Sequence, residues 1–204
     1  MFEHSHLPNV GLTNGKIPSD IYQALNKEIV DIHTNDRDIV RMNNSLAGQI
    51  TKEYQITKSL PLINPFLEEM GRAYQKEWNY YPKENPNNNK LKVESVWVNM
   101  QKKLEVNPLH NHDGTLSFVA WLHVPFKLED ERNMENCKNS RTVELASTFQ
   151  FVYTTALGTI ANCPMFVERG WEGRIVMFPA KLLHMVYPFQ TSDDYRISIA
   201  GNLS

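Results

Sequence analysis

The sequence predicts a mainly β fold with helices at its N-terminal end, its strands arranged as a sandwich or jelly roll. Three observations predict it. Apolar residues recur at helical spacing before residue 90, their period switches to two from Leu91 onward, and turn-forming residues separate many short strands.

The first helix is expected from Ser19 and Asp20, which suit an N-cap, through Ile21, Leu25, Ile29 and Ile32, with His33 at its end. A second, weaker helix is expected over Leu46 to Tyr54. A third runs from Asn64 or Pro65 to Trp78, with Phe66, Met70, Tyr74 and Trp78 on one face. The Pro and Asn cluster from Tyr80 to Asn89 reads as a loop.

Beyond it, Val96, Val98 and Met100 alternate with Trp97, Asn99 and Gln101. Leu116, Phe118, Ala120, Leu122 and Val124 alternate with Thr115, Ser117, Val119, Trp121 and His123. Phe149, Phe151 and Tyr153 alternate with Gln150 and Val152. Further strands are expected at Met165–Glu168, Arg174–Phe178, Leu183–Pro188 and Tyr195–Leu203. The charged, Asn-rich segment Lys127 to Glu144 interrupts the series and reads as an excursion or lid.

The 204 residues suit one domain, with 41% hydrophobic and 22% charged residues, enough to bury a core. The net charge of −2 and the absence of a basic patch give no reason to expect a nucleic-acid partner. Cys137 and Cys163 form no CxxC motif and read as free thiols in a reducing compartment. Met1 to Gly11, with His4 and His6, has no apolar core and does not read as a secretory signal. Ile175 to Phe189 is too short and polar for a bilayer. The expectation is a cytoplasmic protein without a membrane partner.

Chemistry concentrates in two places. Pro108-Leu109-His110-Asn111-His112-Asp113-Gly114 lies between strand-like runs. Residues two apart in an extended chain point the same way, so His110 and His112 can bind one ion together. Asp113 joins them only if the backbone turns, which Gly114 permits. Alone, an HxH is also what two surface histidines look like. Downstream, His184 sits in the apolar run Leu182-Leu183-His184-Met185-Val186, where a satisfied core histidine is the plainer reading. Twelve residues on, Arg196, Ser198, Ala200 and Asn202 share one strand face. That face is either a half-exposed edge or a pocket wall, where Arg196 clamps a carboxylate with help from Ser198. Asn99, beside Trp97, is a further candidate contact, and Gln101 projects to the same side.

The order of these parts decides between them. Trp97-Val98-Asn99, His110-Asn111-His112, Leu116-Ser117-Phe118, Phe178-Pro179, His184, and Arg196-Ile197-Ser198 with Asn202 follow one another over about half the chain. In this the sequence resembles the 2-oxoglutarate- and iron(II)-dependent oxygenase superfamily, which includes the prolyl hydroxylases, and most closely a bacterial and phage subgroup of it. The resemblance implies a double-stranded β-helix, a jelly roll with the metal in its mouth, over residues 91–204. Residues 1–90 would form a helical and loop region packed on it. It also implies Fe(II) and 2-oxoglutarate as cofactors, His110 and His184 as metal ligands, Arg196 as the co-substrate clamp, and a small-molecule or peptidyl substrate to hydroxylate.

The departure is at the second ligand. The superfamily has Asp or Glu two residues after the first His, where this chain has His112, with Asp113 one further on. Strand geometry favours His112; charge balance against Fe²⁺ favours Asp113. With three neutral histidines zinc becomes a competitor. Two other readings stay open: a cupin-like three-histidine metalloprotein that does not use 2-oxoglutarate, and a non-enzymatic jelly-roll module.

Overall fold

Alternation along one strand sets the layering of the whole molecule. In β3 (Val93–Gln101) one face carries Val96, Val98 and Met100, which pack under helices; the other carries Trp97, Asn99 and Gln101, which face inward. The computed structural model describes residues 9–34, 39–81 and 91–204. In chain order the other elements are β1 (Thr13–Lys16), α1 (Ser19–Thr34), β2 (Lys52–Gln55), α2 (Leu60–Trp78), β4 (Asn107–His110), β5 (Leu116–His123), α3 (Leu128–Arg132), a 3-10 turn (Val143–Leu145), β6 (Phe149–Thr154), β7 (Ile160–Met165), β8 (Arg174–Pro179), β9 (Leu183–Val186) and β10 (Arg196–Leu203).

The strands form a six-stranded sheet, β1-β8-β5-β10-β3-β2, and a four-stranded sheet, β4-β9-β6-β7. From β3 onward the chain passes back and forth between the sheets, with antiparallel pairing throughout. That winding makes the double-stranded β-helix. Ile21, Leu25 and Ile29 of α1 and Ile63, Leu67, Met70 and Tyr74 of α2 cover the outer face of the larger sheet. Val119, Trp121, Val176 and Phe178 cover its inner face, against Phe149 and Phe151 of the smaller sheet. Each such burial is worth roughly 1.5–3 kcal/mol, so slipping a strand by one residue forfeits several at once.

Several expectations are corrected. No helix forms over Leu46 to Tyr54. Gln49 and Arg41 make isolated bridges there, and Glu53 and Tyr54 pair with Asn99 and Val98 as an edge strand. A four-residue strand is too short for its period to show. The third helix begins earlier, at Leu60, because Pro61 suits its first turn; Pro65 falls inside it. The strand expected at Met165–Glu168 is instead β7, which ends at Met165, and β1 was not foreseen. Val124 does not follow Leu122 outward but joins the inner cluster, since β5 ends at His123.

The excursion is no loose lid. Glu131 of α3 is fully buried, and accepts bonds from Ser147 Oγ (2.8 Å) and the backbone N–H of Gln190 and Thr191 (2.8 Å each), with Thr191 Oγ1 also donating. This anchors α3 to the barrel. His4, His6 and most of the Pro/Asn segment lie outside the described residues. Cys137 and Cys163 are free thiols, and no helix among the described residues is long and apolar enough to cross a membrane.

Candidate metal centre

His110 closes β4 and stands directly opposite His184 of β9. Cross-strand partners have neighbouring Cβ atoms, so the two rings meet without distortion, with centroids 4.3 Å apart. His112, two residues on, is held by its N–H to the Ala180 carbonyl (2.9 Å), and its Nε2 lies 3.1 Å from Nε2 of His184. One nitrogen from each ring falls in a group whose members all lie within 4.8 Å of one another. Gly114 follows with φ +94°, a turn that an L side chain would strain.

Two rings are oriented in the same way. His110 Nδ1–H donates to the Pro108 carbonyl (2.6 Å) and His184 Nδ1–H to the Leu182 carbonyl (2.9 Å), in each case two residues back along the chain. That tautomer leaves the Nε2 lone pair of each free to bind a cation. Burial, together with charge repulsion among the rings, pushes His112 down to about 4 and His184 to about 3, and burial lowers His110. The rings are therefore neutral at physiological pH, the form that ligates. Three imidazoles sharing one focus suit iron, zinc, nickel or copper, so the residues fit a transition metal.

Asp113 points the other way. Its side chain is fully exposed and its carboxylate accepts a bond from Lys181 Nζ (2.8 Å), which holds its pKa below the usual range. His123 is near the surface, 3.2 Å from Asp194. Trp97 and Trp121 line the cavity, and Trp171 packs on Trp121.

Arg196, Ser198 and Asn99 line the cavity that holds the histidines, about 40 Å³ of which is open to water, the space of a few molecules. Arg196 and Gln101 are register partners, as are Ser198 and Asn99. Arg196 is 3% exposed. Its Nε and Nη2 both donate to Gln101 Oε1 (3.1 and 2.6 Å), Nη2 to the Tyr187 carbonyl (3.0 Å) and Nη1 to the Ser147 carbonyl (3.2 Å). Phe126 and Phe189 flank the guanidinium, 5.6 and 5.5 Å away. Burial lowers its pKa to about 9, against the pull of Glu131. The two-pronged seat held by a neutral amide oxygen is the kind a carboxylate oxygen takes, so these residues fit a dicarboxylic co-substrate. Leu46, Ala47 and Ile50 also line the cavity, whereas no residue of 127–144 does, so the expected lid does not cover this cavity.

Not every part of the motif lies in the site. Ser117 Oγ donates to Asn202 Oδ1 (2.7 Å) between register partners on β5 and β10, so this pair ties two strands together. Sequence reading missed Glu53, Asn107 and Glu131. Glu53 and Glu131 sit among ordinary polar residues, and only the tertiary fold buries them.

A jelly roll with a three-imidazole focus between its sheets defines a class of metalloprotein. Residues 95–202 match the sequence model of the family described as "Putative 2OG-Fe(II) oxygenase". The chain belongs to the 2-oxoglutarate- and Fe(II)-dependent oxygenase family, and Fe(II) and 2-oxoglutarate are its cofactors. It is a dioxygenase.

Solved structures share the fold at low identity. A prolyl-4-hydroxylase from Pseudomonas putida is 11% identical, with a TM-score of 0.55 over 95% of this chain and 92% of that one. The α-ketoglutarate-dependent epimerase SnoN from nogalamycin biosynthesis is 12% identical, with a TM-score of 0.58 over 96% and 78%. A prolyl hydroxylase from Trichoplax adhaerens, in complex with a hypoxia-inducible-factor peptide fragment, is 10% identical, with a TM-score of 0.50 over 93% and 81%. No curated protein matches the chain.

Proposed function

We propose that His110, His112 and His184 hold the iron, and that Arg196, assisted by Ser198, receives the far carboxylate of 2-oxoglutarate in the seat now held by Gln101. The reaction class is hydroxylation of a small-molecule or peptidyl substrate. Fe(II), when bound, supplies dioxygen activation coupled to decarboxylation of 2-oxoglutarate to succinate and CO₂.

The chain's own residues do the rest. The Pro108 and Leu182 carbonyls fix the two ring tautomers, and burial keeps all three rings unprotonated. Arg196 offers a fixed, desolvated positive fork, whose exchange of an amide oxygen for a carboxylate is favourable. Asn99 faces the same space with Oδ1 unpartnered. Trp97, Trp121 and Phe149 give it apolar walls.

One observation carries this reading: three imidazole nitrogens from the β4 end and β9 share one focus, two of them with the opposite ring nitrogen tied to backbone. Succinate release from 2-oxoglutarate with iron, ascorbate and air is the test. Arg196→Ala should raise the KM for 2-oxoglutarate at least tenfold; an unchanged KM and turnover would refute the clamp. Full iron occupancy in His184→Ala would reject that ligand.

A further inference from the structure

The cavity carries a second polar feature, which iron and 2-oxoglutarate do not use. Glu53 of β2 is the register partner of Asn99 and lines the same cavity. It is fully buried and, among the described residues, its Oε1 has no hydrogen-bond partner and Oε2 receives a single 3.4 Å contact, from Asn43 Nδ2. Among the described residues no Lys, Arg or His forms an ion pair with it. Gly48 lies against it so closely that a Cβ there would sit 2.5 Å from Oε1. The lack of a side chain at 48 leaves the carboxyl its room.

Unpartnered acceptors gather here. Asn99 Oδ1 and Asn107 Oδ1 line the cavity without donors, and among the described residues no unpartnered buried donor joins them. An amide can turn and offer its NH₂ instead; an ionised carboxylate only accepts. Burial and the nearby Glu105 push Glu53 up to about 7, as suits a carboxyl without a partner. Such a group is costly to keep, and functional sites are one place where proteins keep them. The cavity is also polarised. Arg196 on β10 and Glu53 on β2 flank β3 on opposite sides. The anionic co-substrate is drawn to the first and repelled by the second.

We propose that Glu53 selects the substrate, its carboxylate receiving a cationic nitrogen donor, an ammonium or guanidinium group, on the molecule to be oxidised. The proposal rests on the histidine cluster being the iron site. Trp97 and Trp121, in the wall of the same cavity, suit the hydrocarbon stem of such a group, and their ring faces attract cations.

Calorimetric titration of the full chain tests this, both metal-free and with Fe(II) and 2-oxoglutarate under argon. The probes are L-lysine against 6-hydroxynorleucine, L-arginine against L-citrulline, and N-acetyl-lysine methylamide against its hydroxyl counterpart. At least one cation should bind, at least tenfold tighter than its neutral counterpart, and Glu53→Gln should abolish that difference. Binding of the free amino acids alone assigns a small molecule; binding of the capped lysine alone assigns a peptidyl side chain. If no cation binds, if cation and counterpart bind equally, or if Glu53→Gln keeps the preference, the proposal is overturned. The comparison within the unmodified protein stands even if the variant does not fold. Succinate release is measured on the same preparation. No succinate overturns the iron-site reading, whereas succinate without cation preference overturns the role of Glu53 alone.

Discussion

Burying a guanidinium costs several kcal/mol of hydration, and Arg196 recovers part of that through four donated bonds, two aromatic faces and the Glu131 charge. Gln101 supplies two of those bonds from a neutral oxygen, the exchangeable seat on which the proposed carboxylate clamp rests. The histidines and Arg196 stood out in the sequence as candidates through the order of the motifs that resembles the superfamily, each spacing alone being ordinary. Glu53 did not, because Lys52-Glu53-Tyr54-Gln55 looks like any charged surface run. Its isolation predicts a pH signature. The folded state raises Glu53 from the ordinary 4.5 to about 7 and so binds its proton more tightly. That contribution to stability is complete below about 4.5 and lost as pH rises through 7. Glu53→Gln stays neutral throughout. Thermal melts should show it more stable than the parent at pH 8, with the advantage gone at pH 5; an equal shift at both pH values would contradict this.

Elements long enough to show a period were readable: α1, β3, β5 and β10 all fall close to where alternation or helical spacing puts them. Of the four-residue strands, β9 was expected and the others were not. β1, β2 and β4 have four residues each, and β1 and β2 owe their existence to β8 and β3 rather than to local pattern. Elements are also pinned by buried acids that no pattern announces. Glu28 of α1 accepts from the backbone N–H of Thr57 (2.7 Å), Lys58 (2.8 Å) and Ser59 (2.8 Å), at the start of α2. Burial would raise its pKa, but these bonds win and hold it below the ordinary 4.5. Glu28→Ala orphans three donors and should cost about 2–4 kcal/mol in urea unfolding at pH 7. Its stabilisation is present above the ordinary carboxyl pKa and fades as pH falls through the lowered one, so the deficit should shrink in acid. A loss below about 0.5 kcal/mol at pH 7 would show that these bonds do not hold the two helices together.

Across the molecule, two sheets meet at a site that neither completes alone. The smaller sheet and its continuation bring His110, His112 and His184; the larger brings Asn99, Arg196, Ser198 and Glu53. If the proposed ligands hold a metal, it joins β9 to the end of β4 and stabilises the folded chain by mass action. At a hundredfold excess over Kd that is about 2.7 kcal/mol, or roughly 5–10 °C in Tm for a chain of this size. Zn(II) or Co(II) should produce that shift in the parent and not in His184→Ala; a similar rise in both would place the metal elsewhere. The fold class was readable because it needs only the change of period and the order of motifs, whereas what the cavity admits depends on residues that no spacing singles out.

The most direct measurement is the visible charge-transfer absorption that appears when a 2-oxo acid chelates Fe(II), recorded anaerobically while 2-oxoglutarate is titrated into the iron-loaded protein. A band saturating at one equivalent, shifted to at least tenfold higher concentration by Arg196→Ala and missing in His184→Ala, is the predicted result. No band in the parent, or an undiminished one in His184→Ala, would contradict the account.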